Sequence, residues 1–296
     1  MAIHTVSDAV GVATILYRGR DPSTPIKWQW WARQLGPDKP LADVTPDDLD
    51  AGIKALLQEP RLGFRKGAGV VPQGNKRKAP GTINKYVNAL GSLYKLLRTH
   101  RHLPRSFVAP SFKDLRLPED NTRTVQVTIS DVHRLIDAAR LSRNHRLPAL
   151  IAVGATTGLR KGSLQGLLWR DVDLKKRVID VARTKNGLPV RSVMPQWAAV
   201  ELARIRPLYC EPGEPVFGTK AFKRAWSATI ERAGIPGSAG WTFHHLRHVA
   251  ASILAQSGAS LPTIMQALNQ KTPSMAMRYT HLNTSALDQA MTKAWG

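Results

Sequence analysis

The stretch Trp241–Asn283, WTFHHLRHVAASILAQSGASLPTIMQALNQKTPSMAMRYTHLN, decides how the rest of the chain is read. It sets a His-x-x-Arg pair, His244 and Arg247, far upstream of Tyr279, which follows Arg278 directly. No acidic residue occurs between Arg232 and Leu287. A carboxylate beside a phosphate costs repulsion at short range, so a long carboxylate-free run inside a mixed sequence suits a site that holds a polyanion. The stretch therefore reads as a phosphate-handling site with a tyrosine in it.

Composition widens that reading. The 296 residues carry 43 Lys+Arg against 21 Asp+Glu, a net charge of +22. With a pI near 10.7, that excess is a nucleic-acid footprint. An apolar share of 43% and eight Trp argue for a packed globule large enough for two domains. The single cysteine, Cys210, excludes an intrachain disulfide framework and a cysteine-based zinc site, and it fits a reducing cytoplasm. No apolar run reaches a membrane span, and the N-terminus lacks a signal-peptide pattern. The expected location is cytoplasmic and nucleoid-associated.

From Val6 to Leu57 the pattern is helical, with TVSDAVGVATILYRGR, WQWWARQL and TPDDLDAGIKALL as successive segments. Asp47 and Asp48 follow Pro46 in a first helical turn, where the helix dipole favours them. Between Pro60 and Lys113 acids are again absent, while basic residues are frequent. RKGAGVVPQGNKRKAPG reads as a Gly/Pro-punctuated loop carrying Lys76, Arg77 and Lys78. The following TINKYVNALGSLYKLLR is an amphipathic helix with Ile83, Val87, Leu90, Leu93 or Tyr94, and Leu97 on its apolar stripe. Its polar face, with Thr82, Asn84, Lys85, Asn88 and Lys95, is read as facing a DNA groove, where amides and lysines reach base edges and phosphates.

Residues 112 to 127 mix proline, charge and asparagine and read as an interdomain linker. Beyond it, Thr128-Ile-Ser-Asp131 has the form of a capping box, and LPALIAVGATTGLRKGSLQGLL is a buried helix broken at Gly158. Two strand-like runs, LKKRVIDVA and LPVRSVMP, flank RTKNG; the Asn186-Gly187 pair predicts a hairpin with Lys185 at its tip. Later segments are helical, so the fold class is mainly α with one small sheet.

Arg160, Lys185, His244, Arg247 and Tyr279 form a set with one chemistry in common. Two arginines fork onto non-bridging phosphate oxygens and stabilise a pentacoordinate transition state. A tyrosine attacks phosphorus and keeps the phosphate as a covalent ester. At a pKa of about 10, only about 0.1% of the phenol is ionised at pH 7, so it needs cations or a general base such as His244. The departing sugar oxygen needs a proton donor, for which Lys185 is the candidate.

The set resembles the tyrosine recombinase (phage integrase) family, with Xer-like members as the simpler relatives. TGLRKGS around Arg160 is similar to its first arginine box, TKNG to its hairpin lysine, and HHLRH to its second box. Two spacings agree: Gln270 stands 23 residues after Arg247 at the third-box position, and Tyr279 follows 9 residues later. The resemblance implies a helical core-type DNA-binding domain over 1–111, the linker 112–127, an α+β catalytic domain over 128–284 and a docking segment over 285–296. It also implies cleavage and rejoining of double-stranded DNA at a specific site through a 3′-phosphotyrosyl bond, with no metal, ATP or other cofactor. The implied assembly is a homotetramer on synapsed DNA, with a monomer as the form expected when free, and no membrane partner. Leu287, Met291 and Trp295 recur every four residues, a stripe suited to docking on a neighbour or on its own subunit. The implied catalytic set is Arg160, Lys185, His244, Arg247, Gln270 and Tyr279.

Two positions depart from the family pattern. Ser163 stands where an acid is usual, and Asn269-Gln270 replaces Gly-His. They keep open a catalytically impaired DNA-binding regulator as an alternative. A type IB topoisomerase shares the same chemistry.

Overall fold

Three threonines start three of the helices. Thr5, Thr45 and Thr128 each accept a hydrogen bond from the backbone N–H of the aspartate three residues on, while that aspartate's carboxylate accepts the threonine N–H. These reciprocal caps satisfy donors that no helix can satisfy internally. They begin α1 (Val6–Leu16), α3 (Pro46–Gln58) and α5 (Ile129–Arg140). The computed structural model describes residues 3–65, 69–112, 114–119, 127–182, 189–218, 221–277, 279 and 292. The chain forms two units, Met1–Arg123 and Thr124–Gly296, each with its own core.

In the first unit, α1 and α3 are joined by α2 (Ser23–Leu35) and followed by α4 (Pro80–Thr99). Trp28 and Trp31 on α2 are buried to 0% and 1% exposure. Their indole N–H groups donate to the carbonyls of Ala89 (2.6 Å) and Tyr86 (2.9 Å) on α4. Buried Trp thus contributes apolar area while its one polar atom is satisfied across the helix pair. Ile83, Leu93 and Leu97 complete the same core from α4, on the stripe expected from the sequence.

The Gly/Pro-rich stretch expected as a loop is instead an antiparallel ribbon, β1 (Pro60–Arg65) and β2 (Gly69–Arg77), pairing Leu62 with Pro72 and Gly63 with Val71. Each strand of a two-stranded ribbon has an open edge, so Pro72 loses no obligatory ladder bond. Among the described residues there are accordingly two small sheets and not one. At the ribbon's base, Lys78 pairs with Glu59 and Arg77 donates to the Gln58 carbonyl. The first part of the expected linker packs on this unit, with Phe112, Leu115 and Leu117 against its core.

The second unit is built around α6 (Leu147–Thr157), whose Leu147, Ala149, Ile151, Ala152 and Val153 are fully buried. An apolar helix buried on all sides needs neighbours on all sides. It has them in α5, α8 (Gln196–Ala203) and α10 (His245–Gln256), while α9 (Lys223–Ala233) covers α5. After the short α7 (Lys161–Gln165) comes a three-stranded antiparallel sheet of β3 (Val172–Asp173), β4 (Val178–Val181) and β5 (Val190–Val193). The β4–β5 register pairs Val178 with Val193 and Val181 with Val190. The expected hairpin tip, Lys185 and Asn186-Gly187, lies outside the described residues. α11 (Leu261–Ala267) and α12 (Pro273–Ala276) close the unit's described part around a small core of Ala250, Ala251, Ala255, Ile264, Leu268, Ala276 and Tyr279. No helix among the described residues is long and apolar enough to cross a membrane.

Candidate active site

α6 stops at Gly158, which is left-handed at φ 60° and whose N–H donates to the Gly154 carbonyl. Only glycine fits there without cost. A Cβ would lie 2.5 Å from Leu268 Cδ2 and 3.3 Å from Ala250 Cβ, besides having to adopt a positive φ. The sharp turn places Arg160 at the start of α7.

Arg247, on α10, is 6% exposed. Its Nη1 donates to the Gly158 carbonyl at 2.7 Å and its Nη2 to the Leu268 carbonyl. One side chain thereby ties together the turn before Arg160 and the turn before Asn269-Gln270. Two of five guanidinium donors are accounted for by these bonds, leaving others for an anion. Burial, and then the positive Arg160, lower its pKa to about 10, with Tyr279 opposing the shift. Arg247 thus remains a cation at neutral pH.

Asn269 sits at φ 47°. Asparagine is the residue that best tolerates this conformation after glycine, which explains why it can stand at a position where the family has Gly. The Gln270 N–H donates to the Met265 carbonyl at 2.9 Å, while its Oε1 is buried without a hydrogen-bond partner. Ser163, where the family has an acid, lies half-buried on α7.

Tyr279 is 5% exposed and its hydroxyl is hydrogen-bonded to Nδ1 of His248. His244 stands at the start of α10, its ring edge-on to that of His248 with centroids 5.5 Å apart. Lost hydration first, then Arg247, His245 and Arg160, depress the His244 pKa below its ordinary value. His245 is used structurally, since its Nδ1 accepts the Thr242 N–H at 2.9 Å and its ring stacks on Trp241. The three histidines of HHLRH are therefore one beside the arginines, one bracing the start of α10 and one on the tyrosine.

Arg160, His244, Arg247 and Tyr279 come together, coupled electrostatically through Arg247. Lys185 lies outside the described residues. His248 was missed from the sequence, although its place four residues after His244 puts it on the same helix face.

In the first unit, Thr82, Lys85, Asn88 and Lys95 are exposed along α4, and Lys76 is exposed on β2. Asn84 requires correction. It is 2% exposed; its Nδ2 donates to the Leu117 carbonyl (2.9 Å) and Glu119 Oε1 (2.7 Å), and its Oδ1 accepts the Leu117 N–H (2.9 Å). It holds the segment after α4 and does not extend from the polar face. Lys78 is also engaged, with Glu59 and over the Tyr86 ring at 5.7 Å. Arg77 is exposed but donates to Gln58.

A buried arginine cross-linked to two turns, a second arginine, histidines and a buried tyrosine stand together, an arrangement that can hold an anion beside a tyrosine hydroxyl. The chain belongs to the phage integrase family, which its residues 126–286 match. It is 25% identical over 244 residues to the shufflon-specific DNA recombinase of Escherichia coli, covering 82% of this chain and 60% of that protein. It is 29% identical over 184 residues to tyrosine recombinase XerD of Brucella suis biovar 1, covering 53% of this chain and 58% of that one. Both matches span less than two thirds of the relative. The fold is similar to that of the Tn1549 transposon integrase solved with circular intermediate DNA, with a TM-score of 0.65 over 98% of this chain and 99% of that one at 16% identity.

Proposed function

We propose that this chain is a site-specific DNA recombinase that cuts and rejoins duplex DNA through a 3′-phosphotyrosyl link at Tyr279. One observation carries the reading: the Tyr279 hydroxyl and the Arg247 guanidinium are both buried and electrostatically coupled, with Arg160 acting on the same guanidinium. A phosphodiester drawn to the two cations meets the nucleophile at once, and the arginines stabilise the charge that develops on its oxygens. The tyrosyl ester conserves the energy of the broken bond, so rejoining by a 5′-hydroxyl needs no ATP. Gln270 supplies a neutral amide donor to the phosphate where the family has histidine. Lys185 protonates the departing 5′ oxygen.

Thr82, Lys85, Asn88 and Lys95 on α4 offer one polar helix face to a groove, and Lys76, with Arg77 beside it, offers charge to phosphates. Assembly is as a tetramer on two synapsed sites, with the protein acting at the nucleoid.

The test is to incubate the protein with fragmented genomic DNA of its source, denature, digest with protease and sequence the ends that carry a 3′-peptide remnant. One recurring junction sequence supports a site-specific recombinase. Ends at unrelated sequences would make it topoisomerase-like, and no blocked ends would make it a binding protein.

A further inference from the structure

α10 presents His244 and His248 one turn apart, and the tyrosine selects the second. The Tyr279 hydroxyl is within hydrogen-bond reach of His248 Nδ1, and the rings stand 6.0 Å apart at 47°. His244 meets His248 edge-on at 88°, and His245 lies 5.9 Å from it while stacked on Trp241. Among the described residues, His244 and His245 stand against the His248 ring, Arg247 is coupled to Tyr279, and Arg160 is coupled to Arg247 and His244. The sequence from Arg232 to Leu287, which holds both His248 and Tyr279, contains no carboxylate. One face of His248 is open to solvent, so a proton taken up there can exchange with water.

We infer that His248 is the base that takes the Tyr279 proton during strand cleavage and returns it during rejoining, while His244 serves the phosphate. The assignment rests on the recombinase reading above. In cleavage the Tyr279 O–H bond breaks and its proton passes to Nδ1 of His248, which must be the unprotonated nitrogen of a neutral ring. The phenolate electron pair forms the O–P bond, the bond from phosphorus to the 5′ oxygen breaks, and that oxygen takes a proton from Lys185. In rejoining, a 5′-hydroxyl attacks phosphorus and gives its proton to the neutral Lys185 amine that cleavage left. Tyr279 then leaves as phenolate and recovers its proton from the His248 imidazolium. With only about 0.1% of a free phenol ionised at pH 7, an acceptor already in contact removes the rarest step in forming the nucleophile.

The experiment compares wild type, His248→Ala, His248→Asn and Lys185→Ala on a nicked duplex bearing the junction sequence recovered above. Single-turnover adduct formation is followed from roughly pH 5.5 to 9, across the range in which histidine titrates. Melting and DNA binding are checked in parallel, and both should be near wild type because His248 is exposed. The wild-type rate should fall on the acid side as His248 protonates. His248→Ala should be slower by about 10² to 10⁴ and lack that limb. His248→Asn places an amide oxygen near the Nδ1 position, keeping the hydrogen bond without the base, and should stay slow.

A duplex with sulfur in place of the 5′ bridging oxygen has a leaving group that needs no proton. It should restore Lys185→Ala but not His248→Ala. Wild-type rates in His248→Asn would reduce the residue to positioning the tyrosine, and recovery of His248→Ala on the sulfur substrate would move it to the leaving-group side; either overturns the inference. Absence of an adduct from the wild type would remove the recombinase reading itself, and this assignment with it.

Discussion

Replacing Gly158 with alanine tests how tightly the arginine turn is built. Three effects combine. A non-glycine residue at φ 60° costs roughly 1–2 kcal/mol. The new Cβ, 2.5 Å from Leu268 Cδ2 and 3.3 Å from Ala250 Cβ, overpacks a filled core, which costs about 1–3 kcal/mol. Against these, alanine reduces the entropy of the unfolded chain and returns about 0.4–1 kcal/mol. The net loss is therefore about 1–5 kcal/mol. At roughly 2–4 °C per kcal/mol for a unit of this size, Tm should fall by roughly 2–20 °C. Leu268 must move, and its carbonyl holds Arg247, so adduct formation should fall further than the melt predicts at a temperature where the variant is folded. Gly162→Ala is the control. It lies in α7 at ordinary φ with nothing within 4 Å of its Cβ, so it should gain about 0.5–1 kcal/mol as a helical glycine replaced by alanine. Scanning calorimetry decides: a Gly158→Ala melt equal to wild type would mean that the turn is not packed as described.

Asn84→Ala should lower stability by about 1–3 kcal/mol, since it strands the Leu117 N–H and carbonyl, yet leave the DNA sequence preference of the folded protein unchanged. Asn88→Ala should do the reverse; urea melts and selection from a randomised site library check both. Gln270→Leu removes a buried acceptor without a partner, so it should raise Tm slightly while lowering adduct formation at least tenfold; an unchanged rate would place the residue away from the phosphate. The His244 imidazole should titrate below its ordinary pKa in the free protein, because the neutral form is favoured by lost hydration and by Arg247. The sign follows: stability contributed by neutral His244 is present above pH 6.5 and declines as pH falls toward the lower folded value. Adding a phosphodiester should raise that pKa by offsetting the arginine charge, and an NMR titration with a value at or above 6.5 without DNA would refute this.

Much of the fold was legible wherever the deciding forces are local. The capping boxes at Thr5, Thr45 and Thr128 contain both partners within four residues, and Gly158 announces a left-handed stop that the structure places there. The grouping of Arg160, His244, Arg247 and Tyr279 in space was legible because the proposed chemistry requires them together. Asn84 was not: a helical wheel sets it beside Lys85, whereas its fate depends on Leu117, 33 residues away. The β1–β2 ribbon was hidden because its glycines and Pro72 dominate local propensity, while cross-strand pairing decides the outcome. α8 follows directly on Pro195, and its few turns are stabilised by packing on α6. His244 and His248 share a helix face, so sequence alone could not tell which one meets the tyrosine.

The central claim, that Tyr279 is the nucleophile of a phosphotyrosyl intermediate, is tested most directly by mapping the covalent bond. Wild type and Tyr279→Phe are incubated with the nicked junction duplex, the adduct is digested with nuclease and protease, and the modified peptide is sequenced by mass spectrometry. A single nucleotide remnant on Tyr279 is expected in the wild type and no adduct from Tyr279→Phe, which still binds the duplex. A remnant on any other residue, or an adduct of normal yield in Tyr279→Phe, would contradict it.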